Sequence, residues 1–361
     1  MIMHMQFTFT HTHTHTHTHS DAHCPRACET HNETQCLKES VELYTTSPMM
    51  NTSDEFALKE LLKNRSLWRQ VTEVLIWISL LIINVIGNGL ICFLMLVRRR
   101  FCDAQCCLIF SLSVSDLLLG LFVIPISLAV LISGDWPFPQ GICQLQGLVV
   151  HTSIFTSVGT ILLISINRYS AMFKPSLYRR LKTRRVNTLM ILSVWMVSLT
   201  ITVAALLPDG KGYVIIPGYA CCSFKLDSKE TRSILLESFT VVAVVIIVHN
   251  YTRIMIAYKR YMSVMNHEGM EQPTLSRRER NILKTLCVAI VTFLLCWVPI
   301  SLLQLVDMSV HLSKVSSRDI QIIQVFLGFL SGSVNPICYG WVNDHFRREY
   351  KRIFMTILGH S

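Results

Sequence analysis

Charge is what this chain has least of. Only 16% of its 361 residues are Asp, Glu, Lys or Arg, against 51% that are apolar, whereas about a quarter of the residues of a soluble domain are charged. The mean hydropathy of +0.43 says that the apolar excess is general. Acidic residues are the scarcer sign, 23 against 33 Lys and Arg. The resulting surplus of +10 sits in short clusters beside apolar segments, not on one basic domain, which argues against nucleic acid as a partner. No basic start followed by an apolar run opens the chain, so no cleavable signal peptide is expected. The nucleophile, metal cluster or paired acids of a membrane enzyme are missing, and His151 and His249 stand apart without partners; no enzymatic activity is expected. Internal repeats and paired broken helices are missing too, which leaves a transporter as the weaker alternative from another class. The 13 cysteines are too scattered for a secreted disulfide framework, and Cys92, Cys287, Cys296 and Cys338 fall inside apolar segments as small buried hydrophobes. No cysteine follows Cys338, so no lipid anchor is expected on the C-terminal tail.

What the chain does have is a set of seven apolar segments, each long enough to span a bilayer: about 71–97, 106–133, 142–170, 186–208, 233–258, 281–306 and 319–342. The organising one runs from Cys143 to Tyr169 without an acidic residue and ends in Ser-Ile-Asn-Arg-Tyr. At about 1.5 Å per residue it covers about 38 Å from Cys143 to Arg168, enough to cross a hydrocarbon core of about 30 Å. It reads as the central helix of a bundle. Arg98 to Arg100 follow the first segment, Lys174 to Arg185 hold six basic residues after the third, and Lys259, Arg260, Arg277, Arg278 and Arg280 lie between the fifth and sixth. Those loops are therefore cytoplasmic, and the N-terminus is outside.

Residues 1–70 read as a disordered, glycosylated extracellular tail, with acceptor sequons at Asn32, Asn51 and Asn64 and a His-Thr tract from His11 to His19 that reads as a low-complexity spacer. The sequon at Asn250 falls near the end of an apolar span and is set aside. Residues 71–342 form the membrane domain. In 343–361, Phe346, Tyr350, Ile353, Phe354 and Ile357 recur at intervals of three and four, with Arg347, Arg348, Lys351 and Arg352 on the other face, so a basic amphipathic helix is expected on the lipids of the inner leaflet. The fold class is all-α: a seven-transmembrane helix bundle with this short helix after the seventh span. Polar residues inside the spans are few: Asn88, Asp116, Ser157 and Asn335, with Arg168 at the inner rim. An intramembrane carboxylate such as Asp116 must pair, bind a cation or stay protonated. Pro299 and Pro336 remove backbone hydrogen bonds in mid-span and bend their helices.

These motifs resemble, in order, those of the rhodopsin-like G-protein-coupled receptors over about residues 71–358: Gly87-Asn88, Leu112 to Gly120, Cys143, Asn167-Arg168-Tyr169, Trp195, Tyr251, Cys296-Trp297-Val298-Pro299, Asn335 to Tyr339, and Phe346. Asn167 departs from the family's usual acidic residue. The fifth span lacks its usual proline and has Ala243 eight residues before Tyr251. The resemblance implies a plasma-membrane receptor that passes an extracellular signal to a heterotrimeric G protein, with arrestin as a further partner. It implies a disulfide from Cys143 to Cys221 or Cys222, and a sodium ion at Asp116, Ser157, Ser331 and Asn335. It implies a ligand near Val150, His151, Ile154, Phe224, Trp297, Ile300, Gln304 and Val325. Arg168, Glu279, Tyr251, Asn335, Pro336 and Tyr339 would form the coupling switch, with Glu279 holding Arg168. The third span carries no carboxylate near Val150, unlike amine receptors, and Phe329 stands where opsins attach retinal. The nearest look is to melatonin receptors, through Ile166 to Tyr169, Leu207 to Gly210, Tyr219-Ala220-Cys221, Tyr339-Gly340 and Glu349 to Ile353. A melatonin-like or other small ligand is expected, with a peptide as the alternative.

Overall fold

The computed structural model describes residues 60, 62–97, 104–181, 183–204, 212–223, 231–268, 277–310 and 318–357. Residues 1–59, which hold Asn32, Asn51 and the His-Thr tract, lie outside the described residues. Seven long helices carry the expected apolar segments: the first span Leu67–Val97, the third Gln140–Phe173, the fourth Arg184–Ala204, the fifth Thr231–Glu268, the sixth Arg277–Val310 and the seventh Arg318–Val342. The second runs through Ala104–Leu118, a π-helical turn Leu119–Val123 and Ile124–Ser133. Six are long and apolar enough to cross a membrane, and on the sixth helix the apolar stretch among the described residues is the shorter Cys287–Leu303. Pro175–Leu181 forms a connecting helix after the third span, and Asp344–Ile357 forms the C-terminal helix after the seventh. The first helix begins four residues before the expected boundary, inside what reads in the sequence as tail.

The third span is the axis. Of its most apolar window 72% is buried, against 17% for the fourth span. Lipid, not water, meets the outer faces, so they stay apolar: Ile86, Leu189, Met196 and Leu295 are exposed. The polar side chains point inward, with Asn84, Asn88, Asp116, Asn167 and Asn335 all buried. Between helices in lipid, close packing does the work that hydrophobic drive does in water. Thus Trp195 Nε1 of the fourth span donates to Ser111 Oγ of the second at 3.0 Å, and Thr152 and Thr202 share a hydroxyl hydrogen bond of 2.8 Å between the third and fourth.

The second span departs from the uninterrupted helix expected over 106–133. Pro125 has no N–H to give to the turn before it, and a widened turn in the helix re-phases the chain at such a point. Here the Ile124 N–H reaches back to Leu119 O, five residues away. The helix stops where Gly134 takes up φ 72°, and its N–H bonds Val130 O at 2.9 Å. The re-phased turn brings Leu119 onto the wall of the central cavity.

β1 (Val214–Ile216) and β2 (Cys221–Ser223) pair antiparallel across the turn Pro217–Ala220, with Val214 opposite Ser223 and Ile216 opposite Cys221.

Candidate functional site

The hairpin is anchored to the outer end of the third span at several points. Cys143 is disulfide-bonded to Cys222 across a Cα separation of 5.4 Å. Neighbouring strand residues face opposite ways, so Cys221 turns to the cavity instead. Burial pushes its thiol up to about 12, which keeps it protonated and unreactive at neutral pH. Gln146 Oε1 accepts from the Cys222 N–H at 2.8 Å, and its Nε2 donates to Ser127 Oγ at 3.3 Å. Gln144 accepts from the Tyr213 N–H and donates to the Tyr213 carbonyl, both at 2.8 Å. The Tyr213 ring lies where a Cβ on Gly147 would come within 2.2 Å, so only glycine fits there. Sequence reasoning missed Gln144, Gln146, Gly147 and Tyr213; two glutamines beside Cys143 in an apolar span were the available signal.

Beneath the hairpin lies a cavity of about 140 Å³. Val150, His151, Ile154, Trp297, Ile300 and Val325 all line it. Phe224 and the side chain of Gln304 lie outside the described residues. The wall is mostly apolar and aromatic, with Trp297 stacked on Phe293 at 5.6 Å, and its polar groups are few, Asp116 at the floor being the one carboxylate among them. His151 is stacked on Tyr213 at 5.2 Å. Its Nδ1 lies 2.8 Å from the Gly147 carbonyl and must carry the proton there, which leaves Nε2 to accept from Ser223 Oγ at 3.2 Å. Tyr219 donates its hydroxyl to Gln324 Oε1 at 3.2 Å.

The cavity floor reaches Asp116, Ser157 and Ser331. Asp116 Oδ2 accepts from Asn335 Nδ2 at 3.0 Å, and Ser157 Oγ stands 3.5 Å from Oδ1. Space for the carboxylate comes from Gly332, where a Cβ would lie 2.8 Å from Asp116 Oδ1. Among the described residues no cation pairs with this carboxylate. One carboxylate beside two serine hydroxyls is a hard-oxygen set that suits a hard cation, and on those grounds Asp116, Ser157 and Ser331 fit sodium, with Asn335 orienting the carboxylate through its amide nitrogen.

At the inner end, Arg168 is half-buried with Tyr178 and Cys287 as polar neighbours, and Tyr251 lies against Cys287. Asn167 is 2% exposed, and neither its amide nitrogen nor its oxygen has a partner among the described residues. Asn250 Nδ2 donates to Ser165 Oγ at 3.2 Å inside the bundle, no place for a glycan. Tyr339, three residues after Pro336, is fully buried and packs on Phe346 at 5.9 Å. The side chain of Glu279 lies outside the described residues.

An ionic cluster at the outer ends went unread in the sequence, although an acid in an apolar span was signal enough. Glu73 accepts from Arg318 twice, at 2.8 and 2.7 Å, from Arg65 at 2.5 Å and from Arg69 at 3.2 Å. Arg65 also donates to the Leu131 carbonyl at 2.6 Å, and Arg69 pairs with Asp319. Residues before the first span are thereby tied to the first, second and seventh. Asn64 is exposed at this edge, with Nδ2 donating to Glu60 at 2.7 Å.

The family model described as 7 transmembrane receptor (rhodopsin family) matches residues 87–339. Neuropeptide FF receptor 2 of Rattus norvegicus is 28% identical over 293 residues, covering 75% of this chain and 69% of that protein. Neuropeptide FF receptor 1 of Homo sapiens is 28% identical over 300 residues, 76% and 68% of the two chains. Melatonin receptor type 1A of Ovis aries is 25% identical over 297 residues, 81% and 80%.

Proposed function

The chain belongs to the rhodopsin family of seven-transmembrane receptors, and from that premise we propose that its ligand is a small, uncharged, ring-bearing molecule of the melatonin kind, bound in the cavity under the hairpin. The protein is a receptor and not an enzyme: a multi-pass membrane protein that takes an extracellular ligand and couples to a G protein. The observation that carries the ligand reading is the cavity itself. Its volume of about 140 Å³ suits a ring system, and His151, Ser223, Tyr219 and Gln324 offer neutral hydrogen bonds at its upper wall. Likeness to melatonin receptors supports the same reading. A second reading, a peptide ligand, is favoured by the likeness to neuropeptide FF receptors.

The remaining assignments belong to the same proposal. Asp116, with Ser157, Ser331 and Asn335, would hold a sodium ion whose charge stabilises the resting state. Arg168, Tyr251, Asn335, Pro336 and Tyr339 would form the coupling switch, with Glu279 restraining Arg168. The protein would sit in the plasma membrane with its N-terminus outside and glycans at Asn32, Asn51 and Asn64. Arrestin would bind the inner face after activation.

The test is guanine-nucleotide exchange in membranes carrying the protein, with melatonin and with neuropeptide FF as probes. Melatonin is expected to stimulate exchange, with potency falling at least tenfold in His151→Ala and Ile154→Trp at equal surface expression. Stimulation by neuropeptide FF alone would replace the small-ligand reading with the peptide one. Unchanged potency in variants of His151, Gln304 and Phe224 would place the ligand elsewhere.

A further inference from the structure

Asn250 is a buried polar residue that neither the ligand cavity nor the coupling switch uses. It lies on the fifth span, and its Nδ2 donates to Ser165 Oγ of the third at 3.2 Å, with both residues inside the bundle. In lipid, a side-chain hydrogen bond between two helices fixes how one faces the other. Neighbouring helix residues point about 100° apart, so the clasp at Asn250 also sets the direction of Tyr251. Tyr251 meets the sixth helix there, and its hydroxyl and the Cys287 thiol are hydrogen-bonded.

Cys287 is half-buried, and it is at the same time a polar neighbour of Arg168 on the third span. The third, fifth and sixth helices thus converge on one sulfur. Elsewhere the sixth helix packs along the fifth and seventh and barely touches the third. Its polar link to the seventh, Thr292 Oγ1 and Cys338 Sγ 3.7 Å apart, lies farther out along the helix. Farther out again, Pro299 interrupts the backbone hydrogen-bond ladder. From Pro299 inward to Cys287 the arm is about 18 Å long. A swing of about 10° at the proline would carry the thiol about 3 Å, out of reach of the Tyr251 hydroxyl.

We propose that Cys287 is a positioning residue of the coupling switch: its hydrogen bond to Tyr251, aimed by the Asn250–Ser165 clasp, latches the inner arm of the sixth helix to the fifth and third in the resting arrangement. This role presupposes the switch proposed above, and it adds to Glu279 a second restraint that acts through Tyr251. A thiol suits a latch that must open. It is a weak hydrogen-bonding group, so it holds the arm without the cost of separating an ion pair.

The full-length receptor in lipid nanodiscs would be compared as wild type, Cys287→Ala, Cys287→Ser and Asn250→Ala. One readout is ligand-free guanine-nucleotide exchange on purified G proteins; the other, without G protein, is hydrogen exchange across Arg277–Val291. Cys287→Ala is expected to raise ligand-free nucleotide exchange about threefold, the scale of one hydrogen bond acting on a minor population, and to speed hydrogen exchange in that segment. Cys287→Ser keeps a hydroxyl for Tyr251 and should return both readouts to wild type. Sulfur that merely filled space would leave serine and alanine alike. Asn250→Ala, which frees Tyr251 from the third span, should copy Cys287→Ala. If neither wild type nor any variant drove nucleotide exchange, the coupling reading would fall, and hydrogen exchange would still decide the latch. Hydrogen exchange equal in wild type and Cys287→Ala, serine behaving as alanine, or Asn250→Ala without effect would each overturn the proposal.

Discussion

Arg318 of the seventh span meets Glu73 of the first with both guanidinium nitrogens, at 2.8 and 2.7 Å, although 245 residues separate them. The arginine side chain is 4% exposed and the carboxylate 11%, so water screens the pair little. Arg65 and Arg69 complete a set of three cations around this one acid, with Asp319 taking up part of the excess through Arg69.

Removing the acid alone therefore leaves buried positive charges facing one another. Loss of one partner of a buried pair costs about 3–5 kcal/mol. Glu73→Ala is expected to lower the melting temperature of the purified receptor markedly. In a double-mutant cycle, Glu73→Ala with Arg318→Ala should be less damaging than the sum of the two. Strict additivity would show that the pair is not coupled.

The disulfide assigns different fates to two adjacent cysteines. Cys222→Ser is expected to abolish surface expression or ligand response, because β2 loses its covalent tie to the third span. Cys221→Ser should fold and reach the surface, since its thiol bridges nothing. Peptide mapping without reduction checks the pairing directly, and a free Cys143 in active receptor would refute it.

Gly147 is a packing prediction. An added methyl would stand 2.2 Å from the Tyr213 ring, and that ring is held by its hydroxyl, which donates to the Thr202 carbonyl at 3.0 Å, and by His151 stacked on one face. Overpacking of this kind costs about 1–3 kcal/mol. Gly147→Ala is expected to displace the hairpin, seen as faster hydrogen exchange across Val214–Ser223. Unchanged exchange would mean the ring yields freely.

Sodium should compete with agonist if Asp116 holds the ion. Agonist affinity is expected to fall as sodium rises against a matched organic cation, and Asp116→Asn should remove the dependence. A ligand binding one state only shifts the population toward it. Affinity indifferent to sodium in the wild type would remove the ion from the account.

Much of this architecture was legible in the residues. Hydropathy located the spans, because a run of apolar residues is a one-dimensional consequence of a bilayer. Val150, His151, Ile154, Trp297, Ile300 and Val325, named together from the sequence, meet around one cavity. What escaped depends on three-dimensional meeting: Glu73 with Arg318, Gln146 with Cys222, Gly147 with Tyr213. The π-helical turn at Leu119–Val123 escaped for a different reason, since hydropathy is blind to a one-residue widening of a helix. Cys222 could not be told from Cys221 before strand direction was known.

The inner end carries the central claim, that the protein transmits its signal through Arg168. With Asn167 in place of an acid and without a partner among the described residues, the proposed switch leaves the restraint of Arg168 to Glu279. A rim pair worth up to about 1 kcal/mol alters a minor active population about fivefold. The decisive measurement is ligand-free guanine-nucleotide exchange on purified G proteins by wild type, Glu279→Ala and Arg168→Ala at equal receptor amounts in lipid nanodiscs. The account predicts exchange above wild type for Glu279→Ala and a fall to the receptor-free rate for Arg168→Ala; Glu279→Ala indistinguishable from wild type, with Arg168→Ala still driving exchange, would contradict it.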